Sequence, residues 1–397
     1  MNRDAVSVAA GLFAVAYGTN VSTPFLVLYK DRLDLGDSAT MAIFVVYVAG
    51  ILSTLLVIGP ISDRLGRKPI VVPFVALSAV ASLCLVVGRD SFAFLLLGRL
   101  LLGVVSGAVL GIASAWLQEL LGRGQEQRAA VLTTVVSYAG FGLGPIVSAV
   151  IAETIGSPLT LPFVVHIVLT VAVVPLVLAV PDHRPAGEPR PLRIEFGVPS
   201  HARATFFGLV APAAIWVFAF ASVSFALFPV IILDGSTGAS RVLVAGAVGM
   251  ITALPGVLAR PLVARIGAAV ALPTSMVVGI VGYGFGLAAL ATGSWPLILP
   301  AAALLGTASG ALTAGSLTVL GQVADDATRG SLTSTFYLLA YPGMAMPLLL
   351  TSLTVVFPLE VGVAVAIGFA TACAVVAGRG ARTFSASAVR MVSTRSS

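Results

Sequence analysis

One acid and three bases crowd into GPISDRLGRKP (Gly59–Pro69): Asp63, Arg64, Arg67 and Lys68. The uncharged runs FVVYVAGILSTLLVI (Phe44–Ile58) and IVVPFVALSAVASLCLVV (Ile70–Val87) flank it. Such a cluster can form ion pairs, cap a helix, or anchor a basic turn at an anionic surface. It cannot grip a nucleotide, because the spacing G-x-x-x-x-G-K-[ST] is missing. Glu119 offers a further acid for Arg64 or Arg67. Arg99, in GRLLLGVVSGAVLG (Gly98–Gly111), is a charge inside an apolar run. A guanidinium in hydrocarbon needs a partner, a view of water, or a reach to the interface. His166, in LPFVVHIVLT (Leu161–Thr170), can titrate near neutrality or serve as a neutral packing residue. No clustered nucleophile and base and no metal-ligand set is seen, so no catalytic residue, metal or cofactor is expected.

The elements that carry these residues are set by composition. Of 397 residues, 58% are hydrophobic and 10% charged, against about 25% charged in soluble domains. Mean hydropathy is +1.07. A membrane helix needs about 20 apolar residues to cross about 30 Å of hydrocarbon. Twelve runs qualify, near 8–29, 40–61, 70–88, 92–117, 129–152, 160–180, 205–233, 242–262, 269–291, 295–320, 331–352 and 356–378. The first reads as a retained helix, because its apolar part is long for a signal peptide and no convincing cleavage site follows. The expected class is therefore an all-α membrane protein of twelve spans. Cys84 and Cys373 both lie in apolar runs and read as small buried hydrophobes.

Threading twelve spans from a cytoplasmic N-terminus leaves seventeen Lys and Arg in cytoplasmic segments. The outer segments hold four, Lys30, Arg32, Arg89 and Arg241, and Arg99 falls inside a span. The asymmetry predicts both termini inside. The net charge of +6 belongs to topology and lipid contact, and no nucleic-acid partner is expected. PDHRPAGEPRPLRIEFGVPSHAR (Pro181–Arg203) divides six spans from six and reads as a cytoplasmic linker. The expected organisation is a six-helix bundle over 1–180, a linker over 181–204, a second bundle over 205–380 and a tail over 381–397. A shift of 201 positions lays RPLVARIGAAV (Arg260–Val270) on GPISDRLGRKP, matching Pro261, Arg265 and Gly267 to Pro60, Arg64 and Gly66. Both stretches follow the second span of their half, which points to a duplication.

GPISDRLGRKP resembles the loop 2–3 signature of the major facilitator superfamily. The resemblance extends over the chain through its twelve spans, central loop and degenerate second signature. It implies two six-helix bundles that rock about a central site. It also implies that Asp63, Arg64, Arg67 and Glu119 gate the cytoplasmic side. Asp325, Asp326 and Arg329 occupy the equivalent loop before span 11. Gly59 and Gly66 are expected to allow close helix approach and tight turning. Arg99 with Gly103 and Gly107 is similar to the family's span-4 pattern, where an arginine handles protons. Gly140, Gly144 and Pro145, in GFGLGPIVSAV (Gly140–Val150), are similar to the span-5 pattern of proton-exchanging exporters, although Ser148 and Ala149 stand where further glycines are usual.

Candidate cavity residues are Tyr17, Asn20, Tyr47, Tyr138 and His166 in the first half. Trp216, Phe220, Phe225, Phe336, Tyr337 and Tyr341 are the candidates in the second. Asp31 and Asp34, at the outer end of span 1, are the candidate proton sites. Some drug exporters of this family carry an acid in span 1, whereas this chain has Thr19 and Asn20. That departure favours a neutral or lipophilic substrate over a cation. The expected function is proton-coupled efflux of a small hydrophobic or amphiphilic compound from the bacterial inner membrane, by a monomer whose partners are substrate, protons and membrane lipids. Symport or uniport of a neutral solute such as a sugar is the alternative. A non-transporting membrane receptor or assembly protein is the alternative from another class.

Overall fold

The computed structural model describes residues 3–122, 124–182, 197–234, 240–325 and 328–395, less the side chains at 56, 60 and 387–395. Among them are twelve helical spans long and apolar enough to cross a membrane. They are α1 (Arg3–Arg32), α2 (Asp37–Leu55), α3 (Lys68–Asp90), α4 (Phe92–Leu121), α5 (Glu126–Thr154) and α6 (Leu161–Leu178). The others are α7 (Ser200–Ile232), α8 (Arg241–Ile266), α9 (Ala268–Thr292), α10 (Trp295–Val323), α11 (Arg329–Val355) and α12 (Leu359–Ala386). The architecture is all-α, as expected, because a helix bonds its own backbone where lipid offers no partner. The α2 helix continues to Leu65, and the α12 helix runs on to Arg395, beyond residue 380. Arg123, Asp326 and linker residues 183–196 lie outside the described residues.

The chain forms two compact units, one of residues 1–194 with 225–254 and one of residues 195–224 with 255–397. The core of the first is built from Val8, Leu12 and Val15 of α1, Val71 and Val75 of α3, Trp116 of α4 and Val177 of α6. In the second, Trp216 and Phe220 pack with Tyr283, and Trp216 also meets Phe369.

Most of GPISDRLGRKP is helix. The α2 helix persists to Leu65 and α3 opens at Lys68, so the turn is only Gly66 and Arg67. Gly66 takes φ 95°, and its N–H closes the helix on the Ser62 carbonyl. That left-handed cap suits a residue without Cβ. Gly267, 201 positions on, repeats it with φ 86° and an N–H bonded to the Val263 carbonyl. The two turns thus share one backbone cap. The expectation of a turn at Gly59 is corrected: it lies inside the helix, and among the described residues a Cβ there would meet nothing within 4 Å.

Candidate gating and coupling site

Arg67 is the hub of the signature cluster. It sits just past the Gly66 cap, so its side chain folds back along the last turn of α2. Its Nη1 donates to Asp63 Oδ1 at 2.7 Å and Ser62 Oγ at 3.0 Å. Its Nε and Nη2 donate to Glu119 Oε1, near the end of α4, at 3.0 and 2.9 Å. Burial opposes the charge on Arg67, but the bonds to Glu119 and Asp63 outweigh it and hold its pKa above the ordinary value. The cluster ties α2 to α4 within the first unit. Arg64 is exposed on the same turn. The Asp182 carboxylate lies against Gly66, 2.9 Å from where a Cβ would stand.

Arg99 is 2% exposed and spends its donors on main chain. The first helix of α1 ends at Asn20 and a 3₁₀ turn over Thr23–Phe25, with Pro24, follows. A helix end leaves its last carbonyls without N–H partners. Arg99 Nη1 donates to one of them, the Thr19 carbonyl, at 2.8 Å, and to Ser22 Oγ at 3.3 Å. Nε and Nη2 reach the Ile43 and Phe44 carbonyls of α2 at 3.2 and 3.3 Å. The Phe44 and Tyr47 rings lie 5.3 and 5.1 Å from the guanidinium carbon. The cation thus caps a helix C-terminus, where the dipole favours positive charge.

Small residues let these helices meet. A Cβ on Gly103 would stand 2.0 Å from the Tyr47 carbonyl oxygen, and one on Gly107 2.7 Å from that of Ile51. Gly140 and Gly144 press α5 on α1 in the same way: Cβ atoms there would lie 2.9 Å from Tyr17 N and 2.4 Å from Tyr17 O. Pro145 lacks the N–H that the Phe141 carbonyl would otherwise accept from. Asn20 Nδ2 donates to that carbonyl at 3.4 Å instead. Ser148 Oγ donates to the Val21 carbonyl at 3.1 Å, covering another acceptor beyond the break in α1.

His166 is wholly buried. Nδ1 lies 2.7 Å from Ser82 Oγ, and Nε2 3.1 Å from the Ala14 carbonyl and 3.3 Å from Thr170 Oγ1. A neutral ring with its proton on Nε2 would donate to the Ala14 carbonyl and accept from Ser82. Tyr17 stacks on this ring at 6.1 Å, and its hydroxyl is buried with no partner among the described residues. Tyr138 meets Phe141 edge-on at 6.3 Å.

Asp31 is not a free vestibule acid, because it pairs with Arg241. Asp34 sits exposed in the following loop with φ 51°. In the second unit, Trp216, Phe220 and Phe336 are fully buried. They pack there as core. Tyr337 and Tyr341 are half-buried and in ring contact at 5.8 Å, and Tyr341 stacks on Phe218 at 4.7 Å. Phe225 packs edge-on against Phe44 in the first unit.

The sequence pattern of the Major Facilitator Superfamily matches residues 8–346. The chain belongs to that superfamily. It is accordingly a multi-pass membrane protein. Among curated relatives, the multidrug resistance protein MdtL of Klebsiella pneumoniae is 34% identical over 119 residues, 30% of each chain. MdtL of Escherichia coli is 35% identical over 101 residues, 25% of each chain. The chain thus spans less than a third of the length of these relatives. Among solved structures, the POT family transporter PepTSo superposes with a TM-score of 0.73 at 14% identity, covering 97% of this chain and 99% of that one. A bacterial homologue of the human lysosomal transporter Spinster gives 0.71 at 14% identity, covering 96% and 97%. A POT family transporter in complex with 5-aminolevulinic acid gives 0.72 at 12% identity, covering 97% and 96%. At such identities these structures share the fold.

Proposed function

We propose that the transporter carries a small neutral solute by alternating access, by uniport or by symport with protons. One observation carries this reading. Every carboxylate among the described residues lies in a loop or within three residues of a helix end. A cation crossing the membrane would need a carboxylate deeper than that. Among the described residues, the deep polar groups of the first unit are neutral, as with Asn20 and the Tyr17 hydroxyl, which has no partner among them, apart from Arg99, whose bonds go to carbonyls and Ser22. Among solved structures of the same fold, a POT family transporter holds 5-aminolevulinic acid, a small polar solute and not a lipophilic drug.

A second reading is expulsion of a lipophilic compound in exchange for protons. It draws on the multidrug resistance relatives and on Gly140, Gly144 and Pro145 in α5. In either reading the protein works as a monomer in the bacterial inner membrane with both termini cytoplasmic. Asp63, Arg64, Arg67 and Glu119 gate the cytoplasmic face.

Purified protein in liposomes, given a panel of sugars, neutral drugs and lipophilic cations under an imposed pH gradient, tests both. Neutral solutes are expected to move, and Tyr17→Phe is expected to slow them. Movement with protons marks symport, and indifference to the gradient marks uniport. Movement against protons, with preference for lipophilic drugs, replaces the first reading with the second.

A further inference from the structure

Three helix ends of the first unit bring two arginines to one acid. The α3 helix runs 20 residues from Lys68, beside the Gly66 turn, to Val87. At 1.5 Å each this is about 30 Å, the thickness of the hydrocarbon. Arg89 and Asp90, in the 3₁₀ turn that follows, therefore stand at headgroup level on the opposite membrane face. Arg32, at the end of α1, donates from Nε to Asp90 Oδ1 at 2.9 Å and to the Arg89 carbonyl at 3.0 Å. Its Nη2 reaches the same Asp90 oxygen. Arg89 donates from Nε to Asp90 Oδ2 at 3.0 Å. Its Nη1 donates to Thr160 Oγ1, just before α6, at 3.2 Å.

Charge does not balance here. On the same face Lys30 meets two acids, Asp37 and Asp234, and Arg241 meets Asp31. Among the described residues, only Arg32 and Arg89 outnumber the acid they share. Arg32 Nη1 and Arg89 Nη2 have no hydrogen-bond partner among the described residues. The two side chains are 50% and 47% exposed, and Asp90 is 56% exposed. Ion pairs this exposed are weak, so Asp90 does not exclude a second anion. Guanidinium groups with spare donors suit the oxygens of a phosphate. The turns of α3 and α4 next to the site expose apolar side chains, Leu83 and Val87 on one and Phe94 and Leu97 on the other. A free phosphate has no use for them, whereas a lipid tail does.

We propose that Arg32 and Arg89 bind the phosphate of an anionic phospholipid, phosphatidylglycerol, whose acyl chains lie along Leu83, Val87, Phe94 and Leu97. The surplus positive charge selects a lipid with net negative charge over a zwitterionic one. A zwitterionic headgroup brings its own ammonium, which the two arginines repel. One headgroup then touches the end of α1 and the α3–α4 turn, and Thr160 before α6 holds Arg89 in place for it. The site does not depend on what the protein transports.

The test titrates the full chain in detergent micelles with phosphatidylglycerol and with phosphatidylethanolamine of the same acyl chains, and counts bound lipid by native mass spectrometry. Phosphatidylglycerol is expected to bind more tightly. Arg32→Ala and Arg89→Ala are each expected to weaken it about fivefold. Asp90→Asn removes the competing acid and is expected to tighten it, a gain that misfolding cannot produce. Arg241→Ala takes the same charge from the same face and is expected to leave the affinity unchanged. Equal affinity for the two lipids in the parent, a loss in Arg241→Ala as large as in Arg89→Ala, or an Asp90→Asn chain that binds no tighter overturns the site. Displacement of the lipid by millimolar inorganic phosphate overturns it too, because the occupant would then be a free anion.

Discussion

At the scale of single residues, Arg99 shows how a full charge is kept about 10 Å inside a span. Main-chain carbonyls of two helices receive it, with one hydroxyl. The fork geometry matters: lysine has one charged nitrogen and cannot reach Thr19, Ile43 and Phe44 together. Arg99→Lys is therefore expected to destabilise the protein by about 2–4 kcal/mol, read as a fall in melting temperature in detergent. If melting is unchanged while transport is lost, Arg99 contacts the solute and the clamp is wrong. Asn20 is a second residue whose role is a carbonyl. Pro145 leaves the Phe141 oxygen without its helical donor, and Asn20 supplies one. Asn20→Leu should cost about 1 kcal/mol in the parent and nearly nothing when Pro145→Ala restores the N–H. Equal costs in both backgrounds would show that Asn20 acts elsewhere.

At the scale of elements, the spans were legible in the sequence because hydrocarbon imposes a length and forbids charge. Expected and observed bounds differ mostly by a few residues at the ends. What stayed hidden was the form of the joints. The residues of GPISDRLGRKP look like a loop because they are charged, but a helix can emerge from the membrane and carry its charges with it, leaving two residues to turn. The partners of Arg99 were hidden because carbonyls have no sequence. The loop before α11 shows another such joint: Asp325 accepts from the Thr328 hydroxyl and from its N–H at 2.9 Å. These bonds hold the Asp325 carboxyl below its ordinary range. A depressed acid contributes stability that is present above the ordinary aspartate value, about 3.9, and fades as pH falls through the lowered one. The melting temperature of the parent should thus exceed that of Asp325→Ala at neutral pH, and the two should converge below about pH 4. A constant difference across that range would show that the carboxylate charge is irrelevant.

At the scale of the whole molecule, charges cluster at two levels of the first unit, at opposite ends of the α2 helix. At one end Asp63, Arg67 and Glu119 join α2 to α4. At the other, Lys30 pairs with Asp234 and Asp31 with Arg241. The second set could not be read from sequence, since its partners stand 204 and 210 residues apart and are ordinary charges at helix ends and turns until the fold brings them together. The first set has a testable architecture: Asp63 and Glu119 share one guanidinium, so their contributions should not add. In a double-mutant cycle of Asp63→Asn and Glu119→Gln, followed by thermal melting, a coupling of about 0.5–1 kcal/mol is expected. The same cycle in an Arg67→Ala background should show none, because the hub that links the two acids is gone. Coupling that survives Arg67→Ala would mean that the acids communicate through another base of the turn. The proposed gating role would then pass from Arg67 to Arg64 or Lys68.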